Sequence, residues 1–342
     1  MDAGKLPNEM LARLLATVRG GDPRVVLGPG VGRDAAVIDA GGERLLVAKS
    51  DPVTFASDHI GWYAVHVNAN DVACMGGRPA WFLATILLPE GASGELAADV
   101  FEQVRTACES LRVELVGGHT EITLGLDRPI VVGAMLGEVE REALVQPSGA
   151  EAGDALVLTK GIAIEGTAVL AREAKERLAG LGVDAATLER AARYIFEPGI
   201  SVVREAEVAC SSVRVHAMHD PTEGGLTTAL YEMAEASGLA VVVDGGAIAV
   251  LPETRAICEA ASLAPLGLLA SGALLLAVAE EDGEPLVSAL RAAGIEADRV
   301  GRMEERRDDV MVIMDGLGQA RPAPRFSRDE VARFLEGRIL ER

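Results

Sequence analysis

Residues 24–51, RVVLGPGVGRDAAVIDAGGERLLVAKSD, decide between two folds. An apolar run at 24–27 leads into the cluster Gly28-Pro29-Gly30-Val31-Gly32, and Asp51 follows at about the distance at which a dinucleotide fold places its ribose-binding acid. That fold needs a crossover helix of roughly 10–12 residues before its next strand. The intervening residues instead form two short β-rich runs, 35–39 and 44–48, around Ala40-Gly41-Gly42-Glu43, which reads as a hairpin. NAD binding is excluded on that ground. A turn whose backbone must reach φ > 0 accounts for part of the glycine cluster, but it does not require Asp34 to follow.

Upstream, Leu6, Met10, Leu11, Leu14, Leu15 and Val18 recur at helical spacing, with Pro7 where a first-turn proline is tolerated. Downstream, 60–75 and 93–111 carry helical periods, and 114–116 and 129–139 read as strands. Pro147, Ser148, Gly149, Gly153 and Asp154 make the strongest break near the middle, so we expect a domain over 1–148, a second over 149–320, and a tail over 321–342. The second half alternates strands (155–159, 239–244, 272–279, 297–303, 309–313) with helices (164–179, 185–196, 200–212, 223–237, 253–262, 284–293). The fold class is α/β or α+β. From Phe326 the tail reads as a helix with Ser327 as N-cap.

The charge balance narrows the function. With 32 Lys+Arg against 52 Asp+Glu the net charge is −20, which repels nucleic acid and anionic bilayers. Four dispersed cysteines form no C-x-x-C pair, so neither a zinc ribbon nor a disulfide framework is encoded, and a reducing cytoplasm fits. The N-terminal segment does not read as a signal peptide. The apolar stretch 260–279 is interrupted by Pro265, Gly267, Ser271 and Gly272 and reads as a turn followed by a buried strand, not a membrane span.

Four aspartates stand among or at the ends of apolar elements: Asp34, Asp51, Asp71 and Asp220. A carboxylate in such a place is costly unless paired or bound to a cation, and carboxylate oxygens suit Mg²⁺ shared with substrate phosphates. Singly, each reads as a cap or turn former, Asp220-Pro221 in particular as an N-cap with proline at N1. Together with the glycines they point to phosphate and Mg²⁺. Gly117-Gly118 before His119-Thr120, and Gly224-Gly225 after Asp220, read as further turns whose N–H groups can face an anion. His66, His216 and His219 have weaker claims, His66 as filler of a helix face.

GPGVGRDAAV, KSDPVTF, NANDVACMGGRP, VGGHT and HDPTEGGL, in this order, resemble the ATP-dependent superfamily containing aminoimidazole ribonucleotide synthetase, thiamine monophosphate kinase, selenophosphate synthetase and the hydrogenase maturation protein HypE. The resemblance spans roughly residues 5–315 and is nearest to HypE and its relatives. It implies a PurM-like two-domain architecture: a β-rich N-terminal domain that dimerises through its strands, a C-terminal α/β domain, and ATP in the cleft between them. By the same resemblance Asp51 and Asp71 match Mg²⁺–phosphate carboxylates, Asp220 the acid of the glycine motif and Asp34 the first carboxylate of the kinase branch; we assign all four to Mg²⁺, Gly30, Gly32, Asn70, Gly117, Gly118, Thr120, Gly224 and Gly225 to cofactor contact, and catalytic roles to Asp71 and to His119 on the substrate-facing side. Three departures stand out. HypE proteins end in a tail cysteine that carries the carbamoyl group, whereas this sequence ends Gly337-Arg338-Ile339-Leu340-Glu341-Arg342; His119 stands where HypE and thiamine monophosphate kinase have an aspartate; and the Cys/Lys pair of selenophosphate synthetase is lacking. The expectation is a cytoplasmic homodimer that uses Mg-ATP to phosphorylate an oxygen of a small substrate, with a hydrogenase-maturation protein as a possible partner. The alternative is a non-catalytic dimeric nucleotide-binding partner in a metallocentre assembly complex.

Overall fold

Helix α1 (Asn8–Leu15) precedes strands β1 (Val25–Leu27), β2 (Ala36–Ile38) and β3 (Arg44–Val53). The latter two close the expected hairpin, with Ala36 opposite Ala48 and Ile38 opposite Leu46. The computed structural model describes residues 6, 8–30, 32–54, 56–306, 311–314 and 319–336. Its backbone packing forms two units. One holds Gly20–Pro29 and Asp34–Leu144; the other holds Val145 onward together with the described residues of Met1–Arg19 and Gly30–Arg33.

The first unit continues with α2 (Ile60–Cys74), β4 (Arg78–Pro89), α3 (Gly94–Leu111), β5 (Glu114–Thr123) and β6 (Ile130–Glu140). Its six-stranded sheet has the order β1-β2-β3-β6-β4-β5. β4 and β5 run parallel, as a helical crossover requires. Ser93 caps α3 by accepting from Leu96 N at 3.1 Å, and α3 buries Val100, Val104, Ala107 and Cys108, one stripe at helical spacing. β6 alternates strictly: Val131, Gly133, Met135, Gly137 and Val139 are buried, while Val132, Ala134 and Leu136 are half-buried on the other face.

Two of the buried positions set how closely α2 lies on the sheet. A Cβ at Gly133 would fall 2.4 Å from Asn68 Nδ2, and one at Gly137 would fall 2.5 Å from Val72 Cγ1 and from Arg78 O. Both glycines therefore give room to the stretch of α2 that carries Asn68 to Val72.

The structure corrects two readings here. The strand expected over 129–139, a candidate for pairing with a second copy, is central and already paired along its length with both β3 and β4. The edges are β1 and β5, and on the longer of them, β5, Val116 and Ile122 are exposed. Nor are Gly117 and Gly118 a turn: β5 extends through Thr123, and Gly118 is demanded by close approach, since a Cβ there would fall 1.9 Å from Ala84 O.

In the second unit the sheet has seven strands: β7 (Ala155–Thr159), β8 (Val215–His219), β9 (Ala240–Asp244), β10 (Leu275–Val278), β11 (Ala297–Glu304), β12 (Met311–Met314) and β13 (Ala320–Pro322), in the order β13-β12-β9-β11-β7-β10-β8. β7 and β10 are buried at every residue, as central strands covered on both faces must be. The helices are α4 (Ile164–Glu173), α5 (Lys175–Gly180), α6 (Ala185–Ala192), α7 (Val203–Ser212), α8 (Gly225–Ser237), α9 (Pro252–Ala261), α10 (Gly283–Ala292) and α11 (Glu330–Glu336). The apolar stretch 260–279 is a 3₁₀ turn at Pro265–Gly267 followed by β10. Among the described residues no helix is long and apolar enough to cross a membrane. Asp329, not Ser327, caps α11, its Oδ1 accepting from Val331 N at 2.7 Å. The end of the tail, residues 337–342, lies outside the described residues.

Because the space at Gly137 is filled on both sides, Gly137→Ala is expected to lower stability by about 1–3 kcal/mol, the cost of overpacking a filled interior. Denaturant unfolding of the variant checks this; an unchanged midpoint would show that α2 does not rest on this glycine.

Candidate carboxylate site

Lys49 and Asp51 are two residues apart on β3, so both side chains leave the same face of the sheet. Asp71 belongs to the last turn of α2, where the unsatisfied carbonyl ends already carry negative potential and a second negative charge is unfavourable. Lys49 answers both acids: its Nζ lies 3.1 Å from Asp71 Oδ2 and 3.3 Å from Asp51 Oδ2. Only 19% of the Lys49 side chain and 6% of that of Asp71 are exposed. Burial alone would pull the ammonium down, but the carboxylates of Asp71, Asp51 and Asp34 outweigh it and hold it above the ordinary lysine value. Asn68 ties the helix to the strand, donating from Nδ2 to Asp51 O at 3.2 Å and to Ala64 O at 2.8 Å. Asn70 is fully buried on the same helix.

Three of the four expected metal carboxylates, Asp34, Asp51 and Asp71, thus act on one ammonium. Lys49 itself is the residue that the sequence reading passed over. Its signal was present in Lys49-Ser50-Asp51, a cation and an acid at strand spacing before an acid-bearing helix.

The β5 residues lie elsewhere on this sheet. Asp51 is level with Gly133, Gly133 with Ala84 and Ala84 with Gly118, so Gly118 is three strand spacings, about 14 Å, from Asp51. His119 is 66% exposed, with Nε2 3.1 Å from Glu121 Oε2. The Thr123 hydroxyl first, and His119 after it, hold the Glu121 carboxyl below its usual range. Gly117, Gly118, His119 and Thr120 are consequently an exposed edge and do not touch the carboxylates around Lys49.

In the second unit Asp220 is 1% exposed and follows β8. It is not the N-cap of α8: Gly224 occupies that place at φ 79, and the helix starts at Gly225. The Gly224 N–H expected to face phosphate donates to Asp329 Oδ2 at 2.8 Å. Two further acids that no motif marks, Glu165 on α4 and Asp329 before α11, lie near this turn. Burial pushes the Glu165 carboxyl up to about 8, and the carboxylates of Glu223, Asp329 and Asp220 push in the same direction against the Ser271 hydroxyl. Burial raises Asp329 to about 6 although backbone N–H groups of Gly224, Val331 and Leu269 favour its charged form. Gly32, at φ 70, faces α8, where a Cβ would sit 3.5 Å from Glu232 O; a Cβ at Gly30 would meet the Arg33 side chain at 2.7 Å.

The three histidines with weaker claims have structural partners. His219 Nε2 lies 2.9 Å from Glu232 Oε2, and His216 Nδ1 lies 2.9 Å from Asp154 Oδ1. His66 stacks on Trp62 with ring centres 4.2 Å apart.

A mixed α/β chain of two sheet units, with a carboxylate group on the first sheet and a glycine turn opening a helix in the second, defines the class. The model of the AIR synthase related protein N-terminal domain matches residues 32–139, and that of the corresponding C-terminal domain matches residues 151–313. The chain belongs to the AIR synthase related family. A carbamoyl dehydratase HypE from Cupriavidus necator is 30% identical over 320 residues, 90% of this chain and 84% of that protein. A putative hydrogenase expression/formation protein from Methanocaldococcus jannaschii is 27% identical over 286 residues, 82% of each. A hydrogenase maturation protein HypE solved in complex with ATP shares the fold, with a TM-score of 0.73 at 24% identity over 97% of this chain and 98% of that one.

The folded chain holds the Glu165 proton up to about pH 8, whereas an unfolded glutamate loses it near 4.5. Between those values the folded state binds more protons, so stability falls as pH rises through this window. Glu165→Gln removes the titration. Its melting temperature relative to the unaltered chain should therefore climb from pH 5 to pH 8 and level off above; a difference constant with pH would remove Glu165 as the cause.

Proposed function

We propose that the chain is an ATP-dependent enzyme that transfers a phosphoryl group to an oxygen of a small substrate, in chemistry of the HypE type. The observation that carries this is the convergence of Asp71, Asp51 and Asp34 on one buried cation. The donor set fits Mg²⁺, a hard ion that takes oxygen ligands and binds through one or two carboxylates plus substrate phosphates. Bound there, Mg²⁺ would supply neutralisation of the phosphate charge that develops during an in-line transfer. Support comes from the relatives named above, a carbamoyl dehydratase and a hydrogenase formation protein, and from the ATP complex of a protein with this fold.

In this reading Asp34, Asp51 and Asp71 hold the metal, and Asn70, buried on α2 next to Asp71 in sequence, contributes to cofactor binding. Gly117, Gly118 and Thr120 offer backbone and hydroxyl groups along β5, and His119 faces the substrate. In the second unit the same reading takes Asp220 as a metal carboxylate and Gly30, Gly32 and Gly225 as cofactor contacts. A hydrogenase-maturation protein is the partner class that the relatives' names suggest.

The homodimer belongs to the same proposal. In the first unit one face of the sheet carries the buried positions of β6, while on the other Leu83, Leu87, Val132 and Leu136 stay half-exposed beside the open edge of β5. An uncovered apolar face next to an unpaired edge is what a second copy would cover. Light scattering at micromolar concentration should give the mass of a dimer; a monomer would count against this surface as an interface.

Calorimetry of ATP binding with Mg²⁺ and with a chelator tests the enzyme reading, since carboxylates without a divalent cation repel a triphosphate. Tight binding in chelator would overturn it. Asp71→Asn should abolish ATP turnover while circular dichroism shows the fold retained; a folded, fully active variant would take Asp71 out of the site.

A further inference from the structure

Lys49 has no part in the chemistry proposed above, yet its ammonium sits at the centre of the acids that chemistry uses. Its stem runs on the helix-facing side of β3, next to the buried Val47, and the side chain is mostly enclosed. Its Nζ meets the Oδ2 atoms of both Asp51 and Asp71, oxygens of the kind a divalent ion would take. Asp71 also stands in the last turn of α2, where the helix adds its own negative potential, so a cation beside it is favoured whenever metal is not bound.

Both cations cannot keep those oxygens. A Mg²⁺-sized ion draws its ligands to about 2.0–2.1 Å, which would bring a double positive charge within a few ångströms of the ammonium. In a poorly solvated place that repulsion is large. Resting on the Mg-ATP reading, we propose that Lys49 is an internal competitor for the divalent cation. Its ammonium neutralises Asp51 and Asp71 in the metal-free chain, and metal binding displaces it. A triphosphate arriving with the metal gives the displaced ammonium a new anion to pair with, whereas metal alone leaves it without one. The site therefore favours metal delivered with nucleotide over free metal, a coupling that acts equally in both directions.

Electron paramagnetic resonance titration with Mn²⁺, with and without a non-hydrolysable ATP analogue, tests this on the full chain. Lys49→Met should bind free Mn²⁺ at least about tenfold more tightly than the unaltered chain, since both the competing charge and its repulsion are gone. The analogue should improve Mn²⁺ affinity less in this variant. Lys49→Arg, which keeps the charge, should bind free Mn²⁺ as weakly as the unaltered chain. Should Lys49→Met be unfolded in chelator, competition requires Mn²⁺ to restore the fold at concentrations below those at which the unaltered chain binds it. Unchanged or weaker Mn²⁺ binding in Lys49→Met, or no restoration of fold, overturns the competitor role while leaving the Mg-ATP reading intact. Absence of Mn²⁺ binding in every variant, with and without the analogue, overturns both.

Discussion

The ion group joining Lys49, Asp51 and Asp71 is the constraint on which the first unit depends. It connects β3 to the C-terminal end of α2, two elements separated by the chain between them, and it resolves an electrostatic conflict on each. The buried acid in the last turn of a helix is unfavourable alone, and the acid beside it on the sheet, 40% exposed, adds like charge. One buried ammonium satisfies them together. Removing the ammonium would take from the buried Asp71 the cation 3.1 Å away, and a pair broken on one side costs more than the net worth of the pair.

That group can form only because the sheet lets α2 come close. Gly133 and Gly137 leave room beneath Asn68 and Val72, and Asn68 then reaches the backbone of Asp51. The same row across the sheet runs from Asp51 through Gly133 and Ala84 to Gly118, all small beyond the acid. Small residues here seat the helix on the sheet.

The second unit solves a comparable problem differently. Glu165, Asp220, Glu223 and Asp329 gather near the turn that opens α8, with backbone N–H groups among their partners. With burial and neighbouring carboxylates acting together, Glu165 keeps its proton up to about 8. Acid clusters in the two units thus differ in how their charge is relieved: by an ammonium in one, by protonation and backbone dipoles in the other.

The sequence alone determined what local spacing can carry. The Gly-Gly hairpin ruled out a crossover helix, apolar periods placed the helices that became α2, α3 and α8, and the motifs marked Asp34, Asp51, Asp71 and Asp220 as acids in costly positions. Tertiary structure decided which strand lies at the edge, turning 114–116 into a ten-residue exposed β5 and putting β6 in the middle. It also brought in Lys49 beside Asp71, and Glu165 and Asp329 beside the α8 turn. The physical reason is the same in each case. A helical or strand period records which residues share a face of one element, but partners 22 residues apart, as Lys49 and Asp71 are, or 105 apart, as Gly224 and Asp329 are, meet only once sheet order and register have been fixed by burial over the whole unit.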